Sequence, residues 1–125
     1  EDENMVLQML MEAVELYEEI SDPLGAINTR QVIANVYQSS GRFEEALPTM
    51  EAALSVARDL KHRVQINLAL DMISQIHQNT DTAEKALSVM KEEHLLAKAS
   101  GDPWRELNAL KLMVGLQLML DDNSQ

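Results

Sequence analysis

Residues 31–60 decide the fold class, because they contain two runs of apolar residues at helical spacing with a turn between them. They read QVIANVYQSSGRFEEALPTMEAALSVARDL. Ser39-Ser40-Gly41 consists of turn-forming residues, so one helix should end there and a second should follow. The second helix has an amphipathic pattern with steps of three and four residues. Its apolar positions are Phe43, Ala46, Leu47, Met50, Ala53, Leu54 and Ala57.

The same pattern returns 40 residues later. Residues 71–100 read DMISQIHQNTDTAEKALSVMKEEHLLAKAS, and seven of the thirty aligned positions are identical without a gap. Asp22-Pro23 returns two periods later as Asp102-Pro103, and both pairs are typical of a helix start with Asp as the cap. About three repeats therefore fit into the 125 residues. We predict repeat units of about 1–22, 23–62, 63–102 and a partial 103–125.

Each full repeat predicts two helices, so the fold class is all-α with six helices. The expected ranges are 4–20, 23–39, 43–59, 63–79, 82–99 and 103–120. Pro48 lies inside the third of these ranges, where proline removes a backbone hydrogen bond. That helix should therefore either start later or kink.

Composition excludes several classes of protein. The chain has 10 Lys and Arg against 21 Asp and Glu, a formal net charge of −11, 46% hydrophobic residues and no Cys. One ordered domain is expected at this length, as a segment of a longer protein. Disulfides and thiolate metal sites are excluded. Nucleic-acid binding is not expected from so acidic a chain, and no apolar run is long enough to span a membrane.

Several of these residues resemble the tetratricopeptide repeat (TPR) family: Ile33-Ala34, Tyr37, Gly41, Phe43, Ala46, Met50 and Ala53. The 40-residue period is similar to the longer repeats of the Leu-Gly-Asn and kinesin-light-chain type. The second repeat departs from the pattern, for example with His77 in the place of Tyr and Asp81 in the place of Gly. The resemblance implies a helix-turn-helix solenoid whose first helices line a concave groove that binds peptides or partner helices.

Groove binding of a protein or peptide partner is the function that this resemblance favours. The stripe expected to line the groove is rich in carboxamides, which can both donate and accept hydrogen bonds along a peptide backbone. An ordinary solvated face is the alternative. Asn35 also fits a set that grips C-terminal carboxylates in some family members, but Gln31 and Met72 replace the basic companions. The predicted groove residues are Asn28, Gln31, Asn35, Gln38, Asp71, Gln75, Gln78, Asn108 and Lys111.

The last predicted helix is apolar nearly all round, whereas a surface helix should show one apolar stripe. Its second face needs a cover: further repeats, a second copy of the chain in a homodimer, or a different protein. An oligomerisation or packing module is therefore the alternative function. The residues expected to mediate self-association are Trp104, Leu112, Leu116, Met119 and Leu120.

Catalysis is not expected, and neither is a metal or cofactor. The three histidines are His62, His77 and His94, and no third ligand with convincing zinc spacing accompanies any two of them. His77 is interpreted as a half-buried core residue. Residues 1–22 hold eight acids and no base, which predicts either a face that steers a basic partner or a solubilising face. The sequence begins with acidic residues and has no complete glycosylation sequon, so an intracellular, cytoplasmic location is expected.

Overall fold

The computed structural model of the chain is built from helices alone over the residues that it describes, 2–123. This confirms the all-α class and the repeated helix pairs that the 40-residue period predicts. All six helices begin and end within three residues of the predicted bounds. They are α1 (Asp2–Glu19), α2 (Pro23–Ser39), α3 (Phe43–Asp59), α4 (Arg63–Thr80), α5 (Ala83–Ala99) and α6 (Pro103–Asn123).

The five turns between helices follow one design at a spacing of 20 residues. Each contains one residue with positive φ, at Ser21, Gly41, Lys61, Asp81 and Gly101. The residue after it donates its backbone N–H to a carbonyl five residues back, over 2.7–3.1 Å. This is the bond that closes a helix C-terminus in the Schellman motif. The 40-residue repeat is therefore two structural half-units of equal length.

Two of the helix starts carry the caps that the sequence predicts. The Asp22 carboxylate accepts a hydrogen bond from the Gly25 N–H at 3.0 Å, and Asp102 accepts one from Arg105 at 3.2 Å. Each of these aspartates also closes the turn of the preceding helix. One residue therefore ends one helix and begins the next, which keeps each connection short.

Replacing Lys61 by Gly should stabilise the chain by about 1 kcal/mol, because a left-handed backbone strains a residue with a Cβ but not glycine. Lys61 has φ 55°. Chemical denaturation measures the change. Gly41→Ala is the control of opposite sign: its φ is 76°, and a Cβ there would touch nothing within 4 Å. Its cost is therefore purely conformational. If both substitutions changed the free energy of unfolding by the same amount and in the same direction, the left-handed backbone assigned to Lys61 would be wrong.

Residues 1–76 form the first of two compact units, of which the structure describes residues 2–76. Here α1 packs against α2, and α2 packs against α3. α1 approaches α2 closely at Gly25, where the Tyr17 ring occupies the space that a Cβ would need. The core of this unit is aliphatic and rich in alanine. It includes Leu7, Val14, Ala26, Ile27, Ile33, Ala34, Tyr37, Ala46, Met50, Ala53, Leu54 and Ala57.

The second unit begins at His77, inside α4, and its described part runs to residue 123. In this unit α5 packs against α6. The Arg105 guanidinium donates two hydrogen bonds to the buried Glu93 carboxylate, at 2.6 and 3.2 Å. These charge-assisted hydrogen bonds raise the pKa of Arg105 above its usual value. The apolar core consists of Ala83, Ala86, Leu87, Met90, Ala97, Ala109 and Leu116.

Pro48 lies at the sixth position of α3, on its exposed side. The alternative in which this helix starts later is therefore wrong, because α3 already begins at Phe43. An exposed position lets water satisfy the carbonyl that proline leaves without its usual donor. Among the described residues, no helix has the length and apolar character needed to cross a membrane.

Candidate functional site

The candidate binding surface is the face that α2 and the first part of α4 share within the first unit, which we call the carboxamide face. Gln65 connects the two helices across this face. Its Oε1 accepts a hydrogen bond from Gln31 Nε2 at 2.8 Å, and its Nε2 donates to Asn28 Oδ1 at 3.3 Å. The first turn of α4 therefore lies beside the first half of α2. The sequence analysis did not include Gln65 among the predicted groove residues, although it is polar and lies next to Ile66, which is buried.

The predicted groove residues of the first unit lie on or beside this face. Asn28, Asn35, Asp71 and Gln75 are exposed, whereas Gln31 and Gln38 are half-buried. Two carboxamides are thus engaged with Gln65, and the exposed Asn35 and Gln75 lie further along α2 and α4.

Exposed aliphatic side chains border the carboxamides. They are Leu24 and Val32 on α2, and Val64 and Leu68 on α4. Leu24 and Val64 are equivalent positions in the 40-residue repeat. A partner docked on this face would therefore meet both hydrogen-bonding groups and apolar surface, the usual composition of a binding site. The sequence signal for these residues was the aliphatic side chain that recurs at the equivalent positions Leu24 and Val64, and the sequence analysis did not use it.

The other predicted groove residues belong to the second unit. Gln78 and Lys111 are exposed. Asn108 is not: it is 7% exposed, and its Nδ2 has no hydrogen-bond partner among the described residues. The prediction that Asn108 lines an open groove is therefore wrong. In α6 the face that holds Asn108 and Ala109 turns inward, because α6 packs that side against α5.

One of the five predicted self-association residues lies on the buried side of α6. Leu116 is 1% exposed and belongs to the core. Trp104, Leu112, Met119 and Leu120 are half-buried. Leu116 therefore cannot form a free surface, whereas a part for the four half-buried residues in self-association stays a prediction. The exposed apolar residues of α6, which we call the α6 stripe, are Leu107, Leu110, Val114 and Leu118.

A further cleft of about 600 Å³ lies where α1 meets the α2–α3 turn, with Glu12 and Glu15 on its wall. Arg42 lies at this cleft, 4.8 Å above the Tyr37 ring centroid, and bonds to Glu45 at 2.7 Å and Glu3 at 2.9 Å. These hydrogen bonds raise the pKa of Arg42 and lower that of Glu45. The pairing is therefore lost in acid, as the Glu45 carboxylate takes up a proton.

The histidines have structural partners. His77 is half-buried, as predicted, and its Nδ1 lies 2.6 Å from Thr82 Oγ1. His62 Nδ1 accepts the Gln65 N–H at 3.3 Å, and His94 lies 3.6 Å from Glu106. In the part of the chain that the structure describes, no three His, Cys, Asp or Glu side chains cluster closely enough to hold a metal ion.

Comparison with known proteins does not assign the chain to a family. A scan against models of protein families matched none of them, and a search of curated proteins found no match. Membership of the TPR family therefore stays a prediction from the residues quoted above.

Proposed function

We propose that the chain is a TPR-like protein-interaction module that binds a peptide or partner helix on the carboxamide face. The observation that carries this proposal is the Gln65 bridge, which joins Asn28 and Gln31 across α2 and α4. It holds two helices side by side with their carboxamides on one surface. Asn35 and Gln75 extend this surface with exposed donors and acceptors.

The chemistry of the face favours a neutral or basic partner in an extended or helical form. Carboxamides bind the peptide backbone whatever its sequence, and the bordering aliphatic side chains select for apolar residues. Asp71 is exposed on the same face, and the chain as a whole carries a net charge of −11. Both features repel acidic peptides. We place this binding in the cytoplasm and assign no catalysis to the chain, as part of the same proposal.

Selection from a displayed library of random peptides tests the proposal. Asn35→Ala combined with Gln75→Ala should lower the affinity for the selected peptides by ~10-fold or more, because each lost hydrogen bond contributes about 0.5–1.5 kcal/mol. Isothermal titration measures the affinity, and circular dichroism checks that the helices persist.

Gln117→Ala is the matched control. Gln117 is an exposed carboxamide of α6, and its Nε2 donates a hydrogen bond to Asp121 Oδ1 in the next turn, at 3.1 Å. Its replacement should leave the affinity unchanged. If the double variant binds the same peptides as tightly as the unaltered chain, the carboxamide face is not the binding surface.

A further inference from the structure

We propose that the cleft between α1 and the α2–α3 turn binds a short basic segment of another protein in an extended conformation. This site is separate from the carboxamide face and does not depend on it. The cleft has a volume of about 600 Å³, which is within the range of ligand sites in proteins. Its whole lining belongs to the first unit. The residues that α1 contributes are Asn4, Leu7, Gln8, Met11, Glu12 and Glu15.

One face of α1 forms the long wall of the cleft. The lining residues of α1 are separated by steps of three and four, so they share one side of the helix from Asn4 to Glu15. At 1.5 Å per residue this wall is about 16 Å long. An extended peptide of about five residues has that length. A metal ion or a single amine would contact only part of the wall, so its length favours a peptide segment.

The inner part of the lining is apolar. Leu7 and Tyr37 are buried, and Met11 beside them is 45% exposed. Lysine and arginine bury their aliphatic stems on surfaces of this kind while their charged groups stay at the rim. Asn4 and Gln8 are exposed on the same wall, where their carboxamides can bond to a peptide backbone.

The charges of the cleft favour a basic occupant. Three glutamates and one arginine line it, and the arginine pairs with Glu45. No hydrogen bond or ion pair joins the side chain of Glu12 or Glu15 to another residue that the structure describes. α1 as a whole contains six acids and no base, which attracts cations to this side of the unit. The acidic start of the sequence thus has a partner of opposite charge in this proposal.

The chain's own Arg42 shows which chemistry suits the cleft. Its guanidinium lies 4.8 Å above the Tyr37 ring centroid and bonds to Glu45 at 2.7 Å and Glu3 at 2.9 Å. An aromatic face flanked by carboxylates is a favourable site for a guanidinium. The two unpaired glutamates lie more than two turns further along α1 than Glu3. One end of the cleft therefore holds an internal basic group, and the other end has carboxylates without one.

A fluorescein-labelled peptide of five arginines, capped at both ends, is the probe. Glu12→Gln combined with Glu15→Gln should lower its affinity by ~5-fold or more, because two exposed ion pairs are lost. Glutamine keeps the length of the side chain and is a good helix former. Fluorescence anisotropy measures the affinity, and circular dichroism verifies that the helices persist.

Glu19→Gln combined with Glu51→Gln is the matched control. Both glutamates are exposed, belong to the first unit and lie outside the lining of the cleft. This variant loses the same charge, so its affinity for the probe should change by less than ~2-fold. Equal losses in the two double variants would show a general attraction to an acidic chain, and the cleft would not be the site.

Arg42→Gln should have the opposite effect and raise the affinity by at least ~2-fold. It removes the internal guanidinium and releases Glu45, Glu3 and the Tyr37 ring face for the probe. Lys85→Gln, at an exposed position of α5, makes the same change in charge away from the cleft. If Arg42→Gln bound the probe no more tightly than Lys85→Gln, the occupant would not lie where we place it.

Two-dimensional ¹⁵N NMR locates the probe directly. Its addition should shift amide signals of residues 4–15 and 42–45, and leave those of Gln31 and Gln65 unchanged. Shifts confined to the carboxamide face would overturn this proposal. So would displacement of the probe by free arginine at equal concentration, which would show a site for a small cation. The alanine variants of the carboxamide face should bind the probe normally, so the two proposals fail separately.

Discussion

Replacing Ile27 by Ala should lower the free energy of unfolding by about 2–5 kcal/mol. This is the largest effect that we expect from any single substitution in this chain. Ile27 is 0% exposed and lies in α2, which packs against both α1 and α3. Removing buried methylene and methyl groups forfeits their transfer free energy and leaves a cavity that the helices fill only in part. Urea denaturation followed by circular dichroism at 222 nm measures the loss.

Leu107→Ala is the matched control, because Leu107 occupies the same repeat position in α6. It is largely exposed, so its replacement should cost less than ~1 kcal/mol. Both variants should be measured at a concentration where the chain is monomeric, since association through α6 would add to the apparent stability. Equal losses at the two positions would mean that the burial assigned to α2 is wrong.

Gly25→Ala should destabilise the chain by about 1–3 kcal/mol, although alanine usually stabilises a helix. A Cβ at Gly25 would overlap the Tyr17 ring, and the overlap extends to the ring atom nearest the backbone. The ring cannot move aside without separating α1 from α2, and overpacking of this kind forces strain on its surroundings. Thermal and urea denaturation both measure the effect.

Two comparisons isolate the cause. Gly115 lies in α6 with nothing within 4 Å of a Cβ, so Gly115→Ala should stabilise by about 0.5–1 kcal/mol through helix propensity alone. In a Tyr17→Ala background, Gly25→Ala should also become stabilising, because the overlapping ring is gone. A destabilising Gly25→Ala in that background would show that the loss does not come from Tyr17.

The local part of the fold was predictable because it is carried by residues close together in the chain. The helix starts at Asp22 and Asp102 depend on a side-chain oxygen that accepts the N–H three positions later, and the turn at Gly41 depends on positive φ. The period of 40 residues and the apolar spacing together indicated six helices, and the structure confirms them. The predicted helix bounds also placed turns at 21–22 and 60–62, but without a glycine nothing indicated the left-handed backbone of Ser21 and Lys61.

Which residues of each helix are exposed depends on the helices that pack beside it. The sequence by itself determined the helices, their caps and the acidic charge of α1, since these follow from local bonding, spacing and composition. Only the tertiary structure showed that Leu116 is core while Leu107 is exposed, that Gln65 bridges α2 and α4, and that Gly25 accommodates Tyr17. A repeat assigns the same role to equivalent positions, but burial depends on whether a second helix covers them, and that is a property of packing between distant segments.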